Sequence, residues 1–149
     1  MKQMDIRSLK ASQTYPLRQQ ILRPGYRIKD CCFPEDELET SRHFGAYQAD
    51  KLVGIVSVLN VPEPLSSNKS EHDWQVRALA TLPSVRGKGY AAALIDAAEH
   101  YVRKQSGRKI WCNARYAAAG FYQKQGYFIE GKPFEIAHIG QHFRMRKKL

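Results

Sequence analysis

The sequence predicts an α/β fold with a mixed sheet, and three observations carry that prediction. Strand-like and helix-like segments alternate in the second half, a glycine-rich turn joins the first such strand to its helix, and a β-hairpin pattern precedes them. A strand, helix, strand unit of this length implies two parallel strands joined by a right-handed crossover. The 149 residues match the size of one domain, and a hydrophobic fraction of 43% suffices for a core around one sheet. A single domain over 1–149 is therefore expected.

In chain order, the first ten residues alternate apolar and charged side chains, unlike a secretory leader, and no apolar run approaches the roughly 20 residues that span a bilayer. A soluble, cytoplasmic protein without a membrane partner is expected. Residues 15–22 suit a short helix that ends before Pro24-Gly25, and 31–39, with Pro34 and acidic Glu35, Asp36, Glu37 and Glu39, reads as a solvated loop. Residues 43–48 and 52–59 read as two strands about the turn Ala49-Asp50-Lys51, with apolar residues on both faces. Residues 60–73 are rich in turn formers and read as a mobile loop. A strand over 74–82 leads into Pro83-Ser84-Val85-Arg86-Gly87-Lys88-Gly89. Ala91, Leu94, Ile95, Ala98 and Val102 then repeat at amphipathic-helix spacing to about Gln105. A strand over 109–114, a helix over 117–125 stopped by Gly126, and short closing strands over 127–130 and 142–146 complete the reading.

Charge and cysteine content narrow the chemistry. With 24 Lys and Arg against 14 Asp and Glu, the net charge is +10, so a polyanionic partner has to be considered. The basic residues are dispersed, which favours a solvated basic surface over nucleic-acid binding. Three cysteines, Cys31, Cys32 and Cys112, show no C-x-x-C spacing and fit reduced thiols better than a disulfide framework. His138 and His142 have an H-x3-H spacing, but the loop between them and the lack of a second ligand pair argue against a metal.

The segment Arg86-Gly87-Lys88-Gly89-Tyr90-Ala91 carries the chemistry. It leaves a strand and opens a helix whose first N–H groups have no intrahelical acceptor, a place that attracts phosphate. Its glycines let backbone approach an anion, and Arg86 and Lys88 add full charges. A Walker loop is absent, and a dinucleotide fingerprint would need glycine where Ala92 stands.

The run from Leu79 to Ile95 resembles the central motif of the GNAT (Gcn5-related N-acetyltransferase) superfamily: an apolar strand, a proline, then [QR]-x-x-G-x-[GA] at a helix start, filled here by Arg86, Gly89 and Ala91. About thirty residues on, the run from Ala118 to Phe128 resembles that family's second signature, A-x-x-[LF]-Y-x-[KR]-x-G-[FY]. The resemblance implies a twisted mixed sheet with two splayed parallel strands flanked by helices, and acetyl-CoA as cosubstrate. It also implies acetyl transfer to an amine of a small molecule or peptide, by direct attack in a ternary complex rather than through an acylated Cys112. By that likeness the amides of Arg86, Gly87, Lys88, Gly89, Tyr90 and Ala91 hold the pyrophosphate, and Leu79, Ala80 and Thr81 pair with the pantetheine arm. Tyr122 takes the place of the general acid that protonates the departing thiolate. The family's usual asparagine is replaced by Arg115, with Asn113 two residues earlier, so both are candidate cofactor contacts. The candidate bases are Glu71, His72, Asp73, His138 and His142, or a water, with Gln75 and Arg77 able only to orient one. A non-catalytic module that binds CoA or nucleic acid is the competing reading. The exposed final strand of such a sheet is a place where two copies could pair.

Overall fold

The computed structural model describes residues 4–64 and 66–149. Its seven strands form one sheet in the order β1-β2-β3-β4-β5-β7-β6. The strands are β1 (Asp5–Leu9), β2 (Arg42–Gln48), β3 (Lys51–Leu59), β4 (Asp73–Thr81), β5 (Lys109–Arg115), β6 (Phe128–Ile136) and β7 (Gly140–Lys148). Three α-helices accompany them: α1 (Ala11–Leu17), α2 (Tyr90–Lys104) and α3 (Ala119–Lys124). The expected mixed sheet is present. β4 and β5 are parallel, and the strands on either side pair antiparallel: β1 with β2, β2 with β3, β5 with β7, and β7 with β6.

The chain divides into two compact units, each built from two segments. The first comprises 1–59 and 76–101. Its core is laid down by β3, where every residue from Val53 to Leu59 is buried, and by α2, where Leu94, Ile95 and Ala98 are fully buried at the spacing of one helical face. The β2–β3 hairpin closes through Ala49 and Asp50, both at positive φ (49° and 65°), the pairing of conformations that a two-residue turn needs to match strand twist. α1 begins earlier than residue 15: the Gln13 side chain accepts the Lys10 N–H at 2.8 Å and fixes the entry. After Pro16, which donates no backbone hydrogen bond, the helix widens into a π-helical turn over Arg18–Leu22, closed by Arg23 N–H to Arg18 C=O at 2.9 Å.

The second unit comprises 60–75 and 102–149. Its core gathers Trp74, Val102, Ile110, Trp111, Cys112, Ala114, Tyr122, Tyr127 and Met145. The closing strands are longer than expected, nine residues each, because β6 resumes pairing with β7 at Phe134 after an irregularity between Glu130 and Phe134, although its side chains are largely exposed. β1 was not anticipated as a strand either. Its half-exposed pattern shows little of the hydrophobic alternation that marks a core strand, yet all five residues pair with β2.

Candidate active site

The first unit presents the glycine-rich turn as an open cradle. β4 ends at Thr81, a 3-10 turn covers Pro83–Val85, and α2 starts at Tyr90. Gly87 and Gly89 lie at φ 79° and 90°, a region where an L side chain is strained. A Cβ added at Gly87 would meet nothing within 4 Å, so glycine is kept here by backbone conformation rather than by crowding. Arg86 to Gly89 are exposed, and the first intrahelical bond runs from Ala93 N–H to Gly89 C=O. The N–H groups that open the helix therefore lack intrahelical acceptors, beside the two cationic side chains of Arg86 and Lys88. This geometry suits a pyrophosphate.

Leu79, Ala80 and Thr81 stand at the end of β4, directly before this turn. They follow an irregularity the sequence did not disclose: Ala78 sits at φ 57°, in the left-handed region, inside a strand. Such a residue breaks the alternation of a strand and re-aims its peptide groups. The parallel ladder of β4 with β5 comprises Asp73↔Lys109, Trp74↔Ile110 and Gln75↔Trp111, three pairs of a nine-residue strand. The main-chain groups of Leu79 to Thr81 thus lie beyond that ladder.

In the same unit a buried polar network fixes the loop after α1. The Arg18 guanidinium makes paired bonds of 2.8 and 2.9 Å to the Asp36 carboxylate, and donates to Cys31 C=O and Ser57 Oγ. His43 bridges Ser57 Oγ (2.7 Å) and Asp36 C=O (3.0 Å). Burial pushes the Asp36 carboxyl up, but the Arg18 bonds and the Phe33 N–H outweigh it and hold it below the usual carboxylate range. The expected solvated acidic loop is accordingly only half right: Glu37 and Glu39 are exposed, Asp36 is buried in an ion pair, and Glu35 has a buried Oε2 with no hydrogen-bond partner.

In the second unit Tyr122 is 6% exposed on α3, edge-on to Phe121 and Tyr127. Burial, with the nearby Cys112, raises its phenol well above the ordinary value, so it carries its proton throughout the physiological range. Gly126 (φ 92°) ends α3 as anticipated. Cys112, in β5, is buried and its thiol is pushed up to about 12 by desolvation, which leaves it a poor nucleophile. Asn113 is half-buried and its Oδ1 accepts a 2.7 Å bond from Arg144 Nε, and Arg115 closes β5.

The candidate bases occupy different settings. Glu71 is exposed, 3.7 Å from the His72 ring, whose Nδ1 faces Ser106 C=O at 3.0 Å. Asp73 is buried, with Lys109 Nζ at 3.9 Å and an Oδ2 that has no hydrogen bond. His138 is an exposed turn residue at φ 66°, whereas His142 is buried, stacks on Phe134, and its Nδ1 lies 2.8 Å from Gly140 C=O. No group of three or more potential metal ligands occurs among the described residues.

Sequence reading missed the anchor of the loop before β4. Glu63 is buried and binds Lys109 Nζ at 3.1 Å and Arg144 at 3.5 Å, while Trp111 Nε1 donates to Val61 C=O. The signal was one acidic residue between two prolines, Pro62 and Pro64, which reads as ordinary loop composition.

Comparison with known proteins agrees with this architecture. A sequence model of the acetyltransferase (GNAT) family matches residues 7–127. The chain is 34% identical over 146 residues to the uncharacterized N-acetyltransferase YitI of Bacillus subtilis, covering 98% of this chain and 97% of that protein. Among solved structures, an aminoglycoside 6'-N-acetyltransferase complexed with coenzyme A superposes with a TM-score of 0.75 at 17% identity, over 97% of each chain. The ribosomal-protein-S18-alanine N-acetyltransferase of Escherichia coli gives 0.75 at 16% identity, over 98% of this chain and 94% of that one. At these identities the structural likeness speaks to the fold. The match across most of the chain, the full-length relative and the shared fold together mean that the chain belongs to the GNAT family of acetyltransferases and is an N-acetyltransferase by that membership.

Proposed function

We propose that the protein transfers the acetyl group of acetyl-CoA to an amine by direct attack, as a single domain working in the cytoplasm. The observation that carries this reading is the open turn from Arg86 to Gly89 at the start of α2, with positive-φ glycines and, beyond the Arg86 N–H that donates to Pro83 C=O at 3.3 Å, helix-opening amides without intrahelical acceptors. In the proposal those amides and Arg86 and Lys88 hold the pyrophosphate, and Tyr90 and Ala91 complete the helix start. The main chain of Leu79, Ala80 and Thr81 lies along the pantetheine arm, with Asn113 and Arg115 as further contacts.

Acetyl-CoA supplies an acyl group already activated as a thioester. Tyr122 holds a proton that its buried phenol does not release at neutral pH, and gives it to the sulfur as the carbon–sulfur bond breaks. The acceptor's surplus proton passes to a base drawn from Glu71, His72, Asp73, His138 or His142, or to water. Cys112 supports the direct route, since a thiol pushed up to about 12 is not the thiolate that an acyl-enzyme requires. Three free cysteines suit a reducing compartment.

A thermal melt with and without excess acetyl-CoA tests the reading. Ligand at about a hundred times its Kd adds roughly 2.7 kcal/mol, a rise in Tm of several degrees, and G89V should abolish the rise. An unshifted wild-type Tm would overturn the proposal.

A further inference from the structure

Arg77 stands on β4 immediately before the left-handed Ala78 and two residues before Leu79. Its guanidinium lies over the Phe33 ring, 3.7 Å from the centroid. Among the described residues no carboxylate lies within ion-pair distance of it and no hydrogen bond reaches its side chain. The charges that act on it are Arg18, Arg23, Glu35 and Asp36. Arg18 and Asp36 neutralise one another through their buried bidentate pair. Of the remaining two, Glu35 favours the Arg77 cation and Arg23 opposes it. Desolvation lowers the affinity of Arg77 for its proton, the sign of a cation held without adequate compensation. Glu35 offers the converse, a buried carboxylate oxygen with no donor. A planar guanidinium with free donors, fixed on an aromatic face, is the standard receptor for a carboxylate or phosphate.

Resting on the acetyl-transfer reading above, we infer that Arg77 recognises the acceptor: it binds an oxyanion carried by the amine substrate, stacked on Phe33 and supported by the charge of Arg23. The acceptor class is then an amine that also bears a carboxylate or a phosphate.

The experiment measures thiol release from acetyl-CoA with matched amines that differ only in the anion: the L-amino acids against their primary amides, and O-phosphoethanolamine against ethanolamine, with kanamycin as a polycation. In the wild type the anionic member of each used pair should have at least about tenfold higher kcat/KM, the range a charge-assisted hydrogen bond supplies. Preference within the amino-acid pairs identifies a carboxylate, and within the ethanolamine pair a phosphate. In R77Q that preference should collapse toward unity, through KM more than kcat, while the acetyl-CoA-dependent rise in Tm persists. R77K should recover part of it, and R23Q should reproduce it in weaker form and stands in should R77Q fail to fold. Equal or better use of the amides, ethanolamine or kanamycin by the wild type would overturn the inference. So would equal losses on both members of a pair in R77Q, the mark of a purely structural arginine. Turnover of none of these amines, with the acetyl-CoA shift intact, counts against it too. Absence of the acetyl-CoA shift removes the acetyl-transfer reading itself, so the two failures are told apart.

Discussion

At the scale of single residues, Tyr122, the proposed acid, and Asp36 are both buried, and they differ in what burial does to them. Tyr122 is kept protonated by its surroundings, so Y122F should lower kcat by about 100-fold or more, the range of general-acid catalysis, with the acetyl-CoA-dependent Tm shift preserved. An unaltered kcat would remove the acid role. Asp36 is kept ionised by Arg18, and breaking such a pair from one side costs about 3–5 kcal/mol, so D36N should lower Tm by roughly 10 °C or more. Its carboxyl is lower in the folded chain than in the unfolded one. The stabilisation is therefore complete above the unfolded value of about 3.9 and disappears as pH falls through the folded value. Melts between pH 2 and 6 should show a steeper acid-side loss for the wild type than for D36N, and parallel curves would refute the assignment. Tyr122 stands out as a candidate because it sits within a signature, whereas the Arg18–Asp36 pair joins residues 18 positions apart with no local mark, and Glu35 and Asp36 beside exposed Glu37 and Glu39 look like one solvated run.

At the scale of elements, legibility followed the strength of the local signal. α2 could be read because Leu94, Ile95, Ala98 and Val102 are all fully buried at helical spacing, and the turn before it because only glycine rests easily at the φ of residues 87 and 89. The irregularity in β4 could not be read, since alanine at position 78 carries no hint of a left-handed backbone. β6 was underestimated because its side chains face solvent through most of its length and its pairing rests on main-chain bonds. The loop from 60 to 73 was expected to be mobile, but Glu63 joined to Lys109 and Arg144 ties its first part down. E63Q should speed hydrogen exchange in that loop by about tenfold, equivalent to losing roughly 1.4 kcal/mol of local stability, and unchanged exchange would show the ion pairs to be ornamental.

At the scale of the whole molecule, the excess of ten positive charges bears on encounter with a polyanionic cosubstrate rather than on fold. Association of CoA should slow by several-fold between about 20 and 300 mM salt, measured by stopped-flow fluorescence, because screening shortens the Debye length from about 20 Å toward 6 Å. A flat salt dependence would mean that the dispersed charge contributes nothing to capture. The sequence motifs conveyed the family and the mixed sheet, and the relatives agree on the family. What recognises the acceptor was less legible, because it depends on which charges cancel one another, and that is decided by contacts between distant segments. Finally, the β2–β3 turn carries alanine and aspartate at positions 49 and 50 in a conformation that asparagine and glycine adopt more readily. The protein therefore holds unspent thermostability at a place remote in sequence from every residue assigned a role. An A49N background, which keeps the Asp50 carboxylate 3.0 Å from Arg7 and gains about 0.5 kcal/mol, would give an engineer a more robust host in which costly changes such as D36N can still be purified and measured.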